Sequence, residues 1–182
     1  VLIESNYLHD FVTSPTTGDH ADFIQFWTNG SEAPSTNVVI RSNTLDTGSG
    51  GMVQAIFMRN EAVDIEGADL TMYYKNILIE ENVILGAHSA GISVGETNGL
   101  ILQNNSVLSV EDASLVPAIN LSPSSINVSV KYNATSAING YNGQSSWTFL
   151  GNAFLQNADP NAPGYYRDQF IESSFFQPNG VA

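Results

Sequence analysis

Six segments of this chain repeat one short pattern, a β-rich apolar run that reaches an asparagine at its sixth position. They begin at Val1 (VLIESNYL), Val38 (VVIRSNTL), Ile77 (ILIEENVI), Leu100 (LILQNNSV), Val128 (VSVKYNAT) and Trp147 (WTFLGNAF). Their asparagines are Asn6, Asn43, Asn82, Asn105, Asn133 and Asn152, and the starts lie 37, 39, 23, 28 and 19 residues apart. The unit is therefore constant while the connections vary in length. Between the units runs a second apolar stretch, DFIQFW, QAIFM, GISVG and AINLS, anchored by Ile24, Ile56, Ile92 and Ile119. A coil of two such strands cannot bury its apolar face alone, but stacked coils share one continuous core. A β-sandwich is the competing arrangement for short strands with Gly, Ser, Asn and Thr turns. The repeated asparagine favours stacking, because like amides one above another bond into an internal ladder that satisfies buried polar groups.

The chain has 182 residues, enough for one domain with a sizeable core. Asp and Glu outnumber Lys and Arg by 18 to 5, for a formal charge of −13. Such a surface repels phosphate backbones, so nucleic acid is not expected as a partner. Cysteine is absent, which excludes disulfides, thiolate metal sites and cysteine nucleophiles. No run approaches the roughly 18 apolar residues of a membrane-spanning helix. The opening VLIESNYL reads as mid-strand rather than as a signal peptide, so a larger parent protein is expected.

With its coils and asparagine ladder, the chain resembles the right-handed parallel β-helices of the pectate-lyase-like superfamily. The resemblance covers residues 1–155. It implies an all-β solenoid with an internal Asn ladder, and residues 156–182 are expected to form an irregular C-terminal cap over the last coil. The superfamily's coils carry polysaccharide lyases, polygalacturonase-type hydrolases, alginate C5-epimerases and phage tailspikes. The stretch DHAD (residues 19–22) loosely resembles the Asp-Pro-His-Asp/Glu signature of the epimerases, with the proline absent. HSAGISVG (residues 88–95) resembles the GHGxSxG stretch of polygalacturonases, without the Arg-Ile-Lys partner. The implied setting is extracellular, at a cell surface or on a virion.

Alternation along the second strand predicts which residues face out. With Ile24 and Phe26 inward, Phe23, Gln25 and Trp27 point to solvent; with Ile56 and Met58 inward, Ala55, Phe57 and Arg59 do. Ser93 and Asn120 follow in the next two coils, giving a surface of Trp27, Gln25, Phe57, Arg59, Ser93 and Asn120. Aromatic rings beside amide and guanidinium groups suit a pyranose, whose C–H face packs on the ring. The same face also suits burial against a second copy or another protein. His20 stands just before this strand, and His88 occupies the equivalent place two coils later, flanking a substrate groove.

Two chemistries are consistent with these residues. Removing the C5 proton of a uronate needs its carboxylate neutralised, a base and a proton donor. Arg59 or Ca²⁺ would neutralise, His20 would be the base, and Tyr73 or Tyr74 the donor. Glycoside hydrolysis would use a carboxylate pair such as Asp19 and Asp22. Turn capping is the ordinary role of such aspartates. The acidic stretches DIEGAD (with Asp64, Glu66 and Asp69) and DTGSGG offer oxygen ligands to Ca²⁺ without matching a known calcium loop. The expectation is thus an uronate lyase or C5-epimerase, or else a non-catalytic recognition stem of the tailspike or adhesin kind. Convergence of His20, Asp22, Arg59 and Tyr73 or Tyr74 on one groove would favour the enzyme.

Overall fold

In a computed structural model the chain is described over residues 1–11, 16, 20–48, 51–110, 113, 115–157, 159 and 161. It folds into three parallel sheets that it visits in strict rotation. The first sheet holds β1 (Leu2–Glu4), β4 (Thr36–Arg41), β7 (Tyr74–Glu80), β10 (Thr97–Gln103), β13 (Ile126–Lys131) and β16 (Trp147–Leu150). The second holds β2 (Tyr7–His9), β5 (Thr44–Asp46), β8 (Val83–Gly86), β11 (Ser106–Ser109), β14 (Ala134–Thr135) and β17 (Ala153–Phe154). The third holds β3 (Asp22–Trp27), β6 (Gln54–Arg59), β9 (Ala90–Val94), β12 (Ala118–Leu121) and β15 (Ile138–Asn139). Each coil thus has three strands rather than two. The short stretch after each asparagine forms a sheet of its own, too brief to show an alternation of its own in the sequence.

The asparagines stand at the corner between the first and second sheets. Asn6 Nδ2 donates to Asn43 Oδ1 at 2.9 Å, Asn43 to Asn82 at 3.0 Å and Asn82 to Asn105 at 2.9 Å. The ladder continues from Asn105 to Asn133 at 2.9 Å and from Asn133 to Asn152 at 3.0 Å. Each Oδ1 also accepts the backbone N–H of the preceding asparagine, as in Asn43 N to Asn82 Oδ1 at 3.1 Å. The second amide proton goes to a carbonyl one coil back, Ile40 O for Asn82. Asn43, Asn82, Asn105 and Asn133 are buried, and every polar atom of their side chains is paired. Short polar side chains that do this remove the cost of turning a backbone inside the protein.

The residue before each ladder asparagine has positive φ: Ser5, Ser42, Glu81, Asn104, Tyr132 and Gly151, all between 53° and 66°. One left-handed residue bends the chain sharply enough to make the corner. A second such column, Asn37, Asn76, Gly99 and Asn127, stands at the start of the first-sheet strands. These backbones are disfavoured for side chains other than Gly, Asn and Asp. The stacking of the coils holds them in place.

Inside, residues of one kind stack coil on coil. Ile24, Ile56, Ile92, Ile119 and Ile138 are in register through the third sheet, the first four of them buried. Val38, Ile77, Leu100, Val128 and Trp147 do the same in the first sheet. Each fully buried aliphatic side chain contributes about 1.5–3 kcal/mol. Between β6 and β7 the chain makes a short excursion, through α1 (Glu61–Asp64) and a 3-10 turn at Leu70–Met72. The beginning of the tail turns back onto the second sheet, where Gln156 Oε1 accepts from Ser109 N at 2.9 Å. The remainder of the expected cap, residues 158, 160 and 162–182, lies outside the described residues.

Candidate functional site

The outer face of the third sheet carries the column expected from alternation. Gln25 pairs with Phe57, Phe57 with Ser93, Ser93 with Asn120, and Asn120 with Asn139. Trp27 stands beside Arg59 and is 52% exposed. Asn139 was not foreseen; it continues the column one coil further, where Asn139 Nδ2 donates to Asn120 Oδ1 at 2.8 Å. The face opens into a groove of about 360 Å³ lined by Phe57, Arg59, Ser93, Glu96, Asn120 and Asn139, among others. Glu96 is also new to the site. Its Oε1 accepts from Ser122 Oγ at 2.8 Å, while its buried Oε2 has no partner. Two expectations fail on this face. Ala55 is buried at 2% exposure and belongs to the core cluster, and Phe23 is half-buried and packs against that cluster.

His20 and Asp22 meet at the start of this sheet. His20 Nδ1 lies 2.7 Å from Asp22 Oδ2, with the imidazole half exposed and the carboxylate 2% exposed. The amide of Gln54 donates to His20 Nε2. The ring proton therefore sits on Nδ1 and is donated to Asp22. Gln54 was not anticipated, although it opens QAIFM and stands in register with Asp22. The His20 ring packs against Phe57, with centroids 4.8 Å apart. Burial pushes the Asp22 carboxyl above the usual range; the bond from His20, and the charges of His20 and His88, oppose that rise. Asp22 Oδ1 is buried with no partner. His88 lies within electrostatic reach of both groups. Burial lowers its pKa, His20 lowers it further and Asp22 pulls it back. Its Nδ1 accepts from Ala90 N at 3.0 Å.

The other expected participants stand elsewhere. Arg59 is five residues along the strand from the position level with Asp22, about 16 Å at strand rise, and its Nε lies 3.3 Å from Asp64 Oδ2. Tyr74 is a correction. It is completely buried, its hydroxyl donates to Arg59 O at 2.8 Å, and burial and then Glu96 raise its pKa steeply, so it cannot hand a proton to a ligand. Tyr73 is also buried, between the 3-10 turn and β7, with its pKa raised by burial and by Glu96. Asp19 lies outside the described residues. His20 and Asp22 thus stand at the start of the third sheet, Arg59 at its far end, and Tyr73 and Tyr74 at the start of β7 in the first sheet.

The acidic loop does not gather into a cation site. Asp64 is engaged by Arg59, and Asp69 caps the 3-10 turn by accepting from Thr71 N and Oγ1 at 2.8 and 2.6 Å. Among the described residues, no group of three or more His, Asp or Glu side chains is placed to hold a metal ion. Nor is any helix among them long and apolar enough to cross a membrane. Comparison with protein-family models, curated proteins and solved structures found no match for this chain. Fold and site together define an all-β protein of three stacked parallel sheets with an open polar and aromatic groove on one of them.

Proposed function

We propose that this chain is a right-handed parallel β-helix of the pectate-lyase-like kind, extracellular or surface-borne, whose third sheet recognises a polysaccharide. The observation that carries this reading is the in-register column Gln25, Phe57, Ser93, Asn120 and Asn139 beside Trp27 and Arg59. Successive coils about 4.8 Å apart repeat polar and aromatic contacts along the face, so an extended glycan can lie across several of them. Exposed Trp27 supplies a ring for a pyranose face. The separation of Arg59 and Tyr73 from His20 and Asp22 supports recognition over catalysis, since a base, a donor and a neutralising cation must act on one sugar ring.

A second reading rests on the His20–Asp22 pair. An imidazole held by a buried carboxylate is the arrangement of a general base, here next to Phe57 and His88. It would serve lyase or C5-epimerase chemistry on a uronate polymer, after Gln54 yields its bond to Nε2.

One set of measurements separates the two. Oligosaccharides of uronates and of neutral sugars are titrated into the protein by calorimetry, and uronate polymers are followed for unsaturated product and for C5 configuration. Recognition requires saturable binding that Trp27→Ala weakens about tenfold or more, without turnover. Turnover that His20→Gln lowers by about 10²–10⁴ would instead establish the enzyme. Absence of binding to every glycan would remove both readings.

A further inference from the structure

A second cavity, of about 390 Å³, opens at the first coil and takes no part in the groove described above. Its lining is Tyr7, Leu8, His9, Phe11, Asp22 and Phe23. Four of these six carry aromatic rings, arranged as two pairs. Tyr7 and His9 stack with centroids 4.4 Å apart at 18°, and Phe11 meets Phe23 at 5.9 Å and 60°. Tyr7 and Phe11 are 50% and 44% exposed, so both rings are open to a ligand.

Negative charge surrounds these rings. Asp22 contributes to the wall, and its carboxylate accepts from His20. Asp10 lies 2.7 Å from His9 Nδ1, and Asp10 and Asp46 both act on the Tyr7 hydroxyl, adding to burial in raising its pKa. Arg41 is held by Glu4 at 2.6 Å on the neighbouring first sheet, and no lysine or arginine is among the lining residues. An aromatic face attracts a cation through its quadrupole, and fixed carboxylates nearby add to that attraction. The chain's charge of −13 draws cations toward it from a distance.

From this combination we propose that the cavity between Tyr7, His9, Phe11 and Phe23 is a binding site for an organic ammonium group. An anion is repelled by the three aspartates. A bare metal ion finds too few converging oxygens, since no metal-holding cluster exists among the described residues. A neutral apolar ligand leaves the field of the aspartates unused. A methylated or alkyl ammonium matches both features, with its C–H surface on the rings and its charge among the carboxylates. This site is independent of the sugar-recognition reading.

The test uses the whole protein and two small probes: choline, and its neutral isostere in which a tert-butyl group replaces trimethylammonium. Binding is followed by NMR shifts of the Tyr7, Phe11 and Phe23 rings. Saturable binding of choline, about tenfold tighter than that of the isostere, supports the site. Tyr7→Phe should keep that preference, whereas Tyr7→Leu should lose it with the fold intact by its melting curve. Equal affinity for the two probes, or ring shifts with neither, overturns the proposal. So does an unchanged preference in a folded Tyr7→Leu protein.

Discussion

Two corners of each coil solve the same problem in opposite ways. Where the first sheet turns into the second, every coil uses the same residue, and the buried amides from Asn43 to Asn133 are fully paired. Where the chain approaches the third sheet, residues differ from coil to coil. There His20 bonds Asp22 and Gln54, His88 caps its own turn, and Asp22 Oδ1 is buried without a partner. Repetition with complete pairing is what holding the stack together requires. Variation with a half-satisfied carboxylate adds little to stability and leaves a group available for other work.

The sharpest way to break that comparison is to delete one amide from the ladder. Asn82→Ala leaves Asn43 N–H, Asn105 Oδ1 and Ile40 O short of partners and should cost about 3 kcal/mol in denaturant unfolding. Asn98→Ala removes only a surface bond from Asn127 and should cost a few tenths, on the order of an ordinary surface change. Equal costs would mean that the ladder is not the special corner. The next effect belongs to the backbone that makes the corner. Glu81 sits at φ 56°, a conformation asparagine tolerates at the equivalent Asn104 and a β-branched residue does not. Glu81→Val should therefore lose about 1–2 kcal/mol, and Glu81→Asn almost nothing. Similar unfolding midpoints for the two variants would contradict a left-handed backbone there.

The smallest effect tests the other corner. The folded pKa of His88 is depressed below its ordinary imidazole value. Below that value the unfolded chain binds a proton that the fold resists, so the contribution of His88 is complete above about pH 6.5 and is lost as pH falls through it. Asp22 works in the opposite sense. Its pKa is raised, so the cost of its buried charge is present at neutral pH and is relieved as acid protonates it. His88→Gln should flatten the fall in melting temperature on the acid side of neutrality. An undiminished fall in that variant would locate the titrating group elsewhere.

The ladder could be read from residues alone because like-to-like amide bonding demands the same residue at the same place in each coil. The left-handed column beside it could not. Its positions hold Ser5, Ser42, Glu81, Asn104, Tyr132 and Gly151, and only Asn104 and Gly151 carry a recognisable preference for that backbone. Gly151 also has a neighbour that restricts it. A Cβ there would come within 2.6 Å of the Tyr132 ring stacked beside it. The groove shows the same division. Alternation from Ile24 and Ile56 located Gln25, Phe57, Ser93 and Asn120, but not Glu96, which lies beyond Gly95 where the strand pattern has ended.

Period and repetition in the sequence determined that the chain stacks parallel strands on an isoleucine core with asparagines between them. Both signals depend only on neighbours along one strand or on the same position one coil away. The pairing of His20 with Gln54 and the burial of Tyr74 were decided by the tertiary structure. These depend on the register between coils and on the paths of connections of unequal length. Tyr74 illustrates the reason. It opens β7 on the far side of the left-handed Asn76 from the alternating run that begins at Ile77, and its buried hydroxyl donates to Arg59 O, which no spacing in the sequence records.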